Sequence, residues 1–229
     1  MTAQDLREAR RKKRWTQEET AEKLGVTQAY LSMLESGRRA MPYALARRAV
    51  ETLHAPPTNL PLRERPLETP VESEKLGLQL ASLGYPGFAH LRATARRNPA
   101  EVLLTALNTA NLETRVTEGL PWLAFAYADM DWDWMVQNAK LQDRQNRLGF
   151  VVTMACQLAS KSSGLHSSKR LREYADVLER SRLVKEDTLC HDSMTEAEKE
   201  WLRTNRPEEA AHWNLLTDMK AENLAHATL

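Results

Sequence analysis

Residues 16–37 read TQEETAEKLGVTQAYLSMLESG, and the pattern in them decides the fold. Thr16 is followed three residues later by Glu19, the spacing of a capping box at a helix start. Gly25 follows Leu24, where a helix ends and the chain turns through positive φ. Thr27 caps a second start, carried by residues 28–35. Ala21 and Leu24 share one face of the first helix, and Leu31 and Leu34 one face of the second. Val26 sits in the turn between them. The small Ala21 permits the close approach that two steeply crossing helices need. Gln28, Ala29, Ser32 and Met33 are left facing away from the core.

A short helix with a polar, uncharged outer face is a shape that the major groove of DNA accepts and reads. The spacing of Ala21, Gly25, Leu31 and Leu34, and the ending LSMLESGRR at 31–39, resemble the helix-turn-helix of the phage-repressor (Cro/repressor, or Xre) family of DNA-binding domains. The resemblance covers residues 3–54. It implies a double-stranded DNA operator, a palindromic site and a homodimer. It also implies DNA contacts from Thr16, Gln17, Thr27, Gln28, Ala29, Ser32 and Met33, with Arg38 and Arg39 as phosphate clamps in the following loop. The family pairs a basic residue of the first helix with the acid that ends the recognition helix. Here those are Arg10 and Glu35, expected as a structural ion pair. Trp15 falls where the family has an apolar core residue. Met33 departs from the family, which often has a long polar or basic residue there; a thioether donates nothing to a base edge.

Charge divides the chain in a way that fits this. The 229 residues carry a formal net charge of +1. Residues 1–65 hold 13 Lys and Arg against 8 Asp and Glu, a net +5, and residues 66–229 hold 19 against 23, a net −4. The first part suits phosphate and the second does not. The 2 cysteines, Cys156 and Cys190, make no CxxC pair or disulfide framework, as in a reducing cytoplasm. Cys156 reads as a small buried hydrophobe. The start LREARRKKRW has no apolar signal region behind it, and the apolar run 148–159 is too short to span a membrane. The expected location is the cytoplasm, at the nucleoid.

In chain order, the first helix is expected over 3–14, with Leu6 and Ala9 inward and the basic run Arg11, Lys12, Lys13, Arg14 at its end. Pro42 opens a further helix at its first position, with Tyr43, Ala46, Ala49, Val50 and Leu53 buried. This closes a head of four or five helices at residues 1–56. Pro56, Pro57, Pro61, Pro66 and Pro70 punctuate a semi-extended linker at 57–74. The remainder, 75–229, reads as entirely helical, giving an all-α chain. Helices are expected at 75–83, 88–97 and 99–108, with Asn98-Pro99 as cap and first turn. Gly119 and Pro121 predict a break inside 112–128. A short helix from Asp131 to 140 precedes a long one at 141–161, apolar on nearly every face and therefore central. Ser167 or Ser168 caps 169–183, and Thr195 with Glu198 caps a helix to 205. Pro207 opens a last helix that frays into NLAHATL.

Enzymatic signals are weak. Asp129, Asp131 and Asp133 alternate, and close carboxylates can hold Mg²⁺ in nucleases and transferases. The competing reading is an acid-rich helix start with Asp131 as cap and Trp132 and Trp134 packing. No P-loop, nucleophile elbow or zinc-ligand spacing accompanies it. A self-cleaving Ser/Lys domain of phage-repressor type would need a β-rich second half. The expected function is thus a transcriptional regulator, read as a repressor, with no catalytic residues, cofactor or metal. A helical body would serve dimerisation, sensing or partner binding, in one version as the antitoxin of a toxin–antitoxin pair. The alternative is a metal-dependent nuclease or transferase built on the three aspartates.

Overall fold

The computed structural model describes residues 1–62, 71–92, 95–161 and 165–224, the last range without the side chains of 165–168. Two compact units divide the chain, Met1–Arg63 and Glu64–Leu229.

The first unit holds α1 (Ala3–Lys12), α2 (Gln17–Leu24), α3 (Gln28–Glu35) and α4 (Tyr43–Leu53). Its starts are set locally. Thr2 with Asp5, and Thr16 with Glu19, each close a full capping box, so two otherwise orphaned N–H groups are satisfied at each start. Leu6, Ala21, Leu24, Leu31, Leu34, Leu45, Ala49 and Leu53 form the core. Trp15 differs from expectation. It is only partly buried at the edge of that core, with Lys23 Nζ 4.8 Å from its ring centroid. Tyr43 is exposed, and Leu45 takes the buried place, because Pro42 lies outside the helix as its N-cap and Tyr43 is then the first helical residue. The head also extends further than its helices. Pro57–Asn59 forms one 3₁₀ turn, and Ala55 and Leu60 pack on Val50 in a satellite cluster. These residues belong to the folded head rather than to a linker. Pro66 and Pro70 lie outside the described residues.

The second unit is built on α9 (Gln145–Lys161), which is buried along most of its length. Around it pack α7 (Thr114–Ala126), α8 (Trp132–Leu141) and α10 (Leu165–Glu179), with α5 (Ser73–Ser82) and α6 (Pro99–Asn108) outside α7 and α8. Local caps again hold: Asn98 Oδ1 accepts from Ala100 N, Asp131 accepts from Trp134 N, and Thr195 and Glu198 box α11 (Glu196–Asn205).

Several expectations fail for non-local reasons. The helix expected at 88–97 is absent among the described residues. Phe88 ends a single 3₁₀ turn, buried against Tyr85 and Gly77, and Arg96 Nε reaches back to the Ser82 carbonyl at 3.1 Å. No break occurs at Pro121. α7 runs through it, because nearly every residue from Val116 to Phe125 is buried and packing outweighs one lost backbone bond. A Cβ on Gly119 would lie 3.0 Å from Leu80 Cδ1, so the glycine serves close helix approach. α9 begins four residues late, after Asp143 takes φ +54°. α10 starts ahead of Ser167 and Ser168, which lie within it. After Pro207 the helix is short, α12 (Glu208–His212), and is followed by β2 (Leu215–Leu216), which pairs in parallel with β1 (Asp187–Thr188), and by a 3₁₀ turn at Ala221–Asn223. The end of NLAHATL, from residue 225, lies outside the described residues.

The body's least expected feature is Arg147 on α9, 1% exposed. Its guanidinium donates to both oxygens of Asp187 at 2.7 and 2.8 Å, to Asp192 Oδ1 at 2.8 Å and to the Leu107 carbonyl at 3.0 Å. Strand β1, the loop at Asp192 and the end of α6 are thereby tied to the central helix. Burial opposes the Arg147 charge, and the carboxylates overcome that, so its pKa is raised. Cys190 beside it is fully buried, which pushes its thiol up to about 11. Cys156 is half-buried, and both cysteines are free. Among the described residues, no helix is long and apolar enough to cross a membrane.

Candidate nucleic-acid interface

The outer row of α3 is placed by its start and its end. At the start, Thr27 Oγ1 accepts from Tyr30 N at 3.2 Å. The turn before it depends on Gly25 at φ +65°, whose Cα side faces Arg48; that guanidinium donates to the Leu24 carbonyl at 2.9 Å and closes the end of α2. At the end of α3, Gly37 takes φ +74°, and Arg38 N donates back to the Met33 carbonyl at 3.0 Å. This turn presents Arg38 and Arg39 to solvent, with no ion pair to either among the described residues. Thr27, Gln28 and Ala29 are exposed, and Ser32 and Met33 are half-buried.

Beneath that row runs one chain of polar contacts. Arg10 grips the Glu35 carboxylate with Nε at 2.6 Å and Nη2 at 3.0 Å, and its Nη1 donates to the Trp15 carbonyl at 2.9 Å. The Glu35 side chain is 2% exposed. Its second oxygen also accepts from Gln17 Nε2 at 2.9 Å. A carboxylate accepts only, so the Gln17 amide must turn its NH₂ inward and its oxygen outward. That oxygen accepts from Gln28 Nε2 at 3.0 Å. The exposed end of Gln28 is therefore oriented, through Gln17 and Glu35, by an arginine on α1. The second Gln28 N–H and its Oε1 have no partner among the described residues, and together they form one donor and one acceptor.

Burial pushes the Glu35 carboxyl up. The hydrogen bonds from Arg10 and Gln17, with the charges of Arg10 and Arg7, outweigh that and hold it below the ordinary carboxylate value. Arg7 also donates to the Glu35 backbone carbonyl at 2.7 Å, a role the sequence reading did not assign. Its only signal was the i, i+3 spacing from Arg10. Thr16 is exposed, but its hydroxyl is spent on the capping box: it accepts from Glu19 N and donates to Glu19 Oε2, both at 3.1 Å. Gln17 lies between solvent and Glu35 rather than standing free.

Two of the three aspartates of the alternative reading are committed to the fold. Asp131 caps α8, and Asp133 Oδ1 accepts from Tyr174 Oη at 3.1 Å. Among the described residues, no three His, Cys, Asp or Glu side chains group to hold a metal ion.

A family model described as "Helix-turn-helix" matches residues 6–58. No curated protein and no solved structure matches the chain. Residues 6–58 are thus a helix-turn-helix domain of the Cro/repressor (Xre) type, the DNA-binding part of a transcription regulator.

Proposed function

We propose that the chain is a repressor that reads a palindromic operator as a homodimer, through the exposed row of α3, and that it is not an enzyme. The observation that carries this reading is the Arg10–Glu35–Gln17–Gln28 chain, which fixes one amide donor and one acceptor at the helix start. An amide so held matches the N6 and N7 edge of adenine. Ala29 beside it offers a methyl to a thymine methyl, while Met33 discriminates weakly. Arg38 and Arg39 meet phosphates, which position without reading sequence. One such helix covers only a few base pairs, so two-fold symmetry is needed for useful specificity. The body supplies the dimer contacts and a partner surface, and the protein works in the cytoplasm on the nucleoid.

The test is selection of binding sites from random duplexes by the full-length protein. Two half-sites related by a dyad, about one helical turn apart and each with an A·T pair under Gln28, are expected. Recovery of asymmetric sites, or no enrichment, overturns the reading. A narrower version makes the protein an autoregulating antitoxin whose body neutralises a toxin. It is supported by the pairing of an Xre-type head with an unrelated helical body, which is an analogy at the level of architecture. Co-purification with the product of an adjacent gene that is toxic alone is expected; an adjacent product that neither binds nor poisons the cell rules it out.

A further inference from the structure

The body contains a cavity of about 930 Å³ that the DNA-binding reading does not use. Its walls come from the start of α7, the loop at 189–194, α11 and the stretch 216–224. The volume lies within the range of small-molecule sites, roughly 300–1,000 Å³. Leu202 and Leu216 give it an apolar floor. Trp201 stands on its wall and is 57% exposed, unusual for the largest apolar side chain there is. The charged lining is predominantly acidic: Glu113, Glu118, Glu198 and Asp218 stand against Lys220. Glu118 and Asp218 face the cavity and form no ion pair among the described residues, and Lys220 is the one Lys or Arg in the lining. Glu198 is also in the wall, but its carboxylate is committed to the Thr195 cap.

We infer that this cavity is a binding site for an apolar organic cation of drug-like size. The floor takes the hydrocarbon part, the indole of Trp201 stacks on the cationic face, and the carboxylates of Glu118 and Asp218 supply negative charge in excess of Lys220, which no ion pair among the described residues takes up. An indole is the best aromatic partner for a cation, and two nearby carboxylates repel an anion of equal shape. Shape alone therefore does not decide the ligand; the sign of charge does. This inference stands apart from the reading of the head, since every residue in it belongs to the body.

The probes are tetraphenylphosphonium and tetraphenylborate, which share size and apolar surface and differ in sign. Each is titrated into the full-length protein by calorimetry, with tryptophan fluorescence in parallel. Saturable binding of the cation at one per chain is expected, at least about tenfold tighter than the borate, with a change in emission. Trp201→Ala is expected to weaken the cation about tenfold and to abolish most of the emission change. The double variant Glu118→Gln/Asp218→Asn is expected to erase the preference of sign while keeping the melting temperature, since neither carboxylate forms a hydrogen bond or ion pair among the described residues. Equal affinity for both probes would show a merely apolar surface. Cation binding that survives Trp201→Ala and the double variant unchanged would place it elsewhere. No saturable binding at about 1 mM would leave no site of this kind. Each of these three outcomes overturns the inference.

Discussion

Replacing Arg10 by methionine removes the cation and keeps the length of the stem. The Glu35 carboxylate, 2% exposed, is then left with Gln17 alone. Two charge-assisted bonds disappear, at 2.6 and 3.0 Å, together with the bond to the Trp15 carbonyl. Breaking a buried pair from one side costs about 3–5 kcal/mol. Arg10 is itself 13% exposed, so water reaches part of the vacated site and the cost is reduced, to about 2–4 kcal/mol. A unit of 63 residues has only about 3–9 kcal/mol in hand. The assay is urea unfolding of residues 1–62 followed by Trp15, the one tryptophan in that stretch. The dependence on pH has a definite sign. Glu35 in the native head is held below its ordinary value of 4.5, so the pair's contribution is present above that pH and is lost as pH falls through the depressed value. In the variant burial dominates, the carboxyl rises, and protonation relieves the cost. The gap between the two proteins should therefore be widest near neutrality and close as the solution is acidified. The double variant Arg10→Met/Glu35→Gln should recover at least half of the loss, because a neutral carboxamide still accepts from Gln17. A loss under about 1 kcal/mol, the same at pH 3 and pH 7, is what a surface pair would give and would refute the reasoning.

Other outcomes follow from the same contacts. Gln28→Ala should cost about 1–3 kcal/mol of operator binding and relax preference at one symmetric pair of positions; a uniform loss with preference intact would remove Gln28 as a base reader. Arg39→Ala should weaken all sites alike and lower the salt slope of binding by about one unit, measured at two salt concentrations. A head ending at residue 56 should be less stable than one ending at 62 by about 1–3 kcal/mol, because Leu60 is 4% exposed and its burial is lost; equal urea midpoints would show that the satellite cluster contributes nothing. Arg147→Met should lower the stability of the body by about 3–5 kcal/mol without changing that of the head, read by hydrogen exchange in the full-length chain.

What could be read from the sequence was what side chains do to their own backbone. Thr16 with Glu19, Thr195 with Glu198, Asn98 before Pro99 and Asp131 before α8 act over two or three residues, so spacing alone reveals them. The helix-turn-helix was legible for the same reason, with an apolar period and a glycine at positive φ. The failures share the opposite property. Pro121 lies mid-helix because of neighbours on α5 and α9, which its own sequence does not announce. Arg147 finds Asp187 40 residues away, and a Cβ on Gly149 would lie 2.4 Å from Trp213. Neither pairing has a local signature. Tyr43 was misplaced because a proline can stand either just inside a helix or just before it, and the choice rotates the buried face by a residue. At the interface, the sequence named Gln17 and Gln28 separately, but nothing in their spacing of eleven residues said that one amide holds the other.

That coupling changes what an outward-facing residue is free to do. A side chain on the surface ordinarily drifts under mutation with little effect on the interior. Gln28 is exposed, yet its amide rests on Gln17, which rests on the carboxylate that anchors α1 to α3. A substitution there that cannot donate to Gln17 frees that amide to rotate and loosens one of the bonds on Glu35. Retargeting this head to a new site, by evolution or by engineering, thus carries a stability cost even when the new side chain makes good contacts outside. The cheapest changes of specificity are those at Ala29, Ser32 and Met33, whose side chains make no part of that relay.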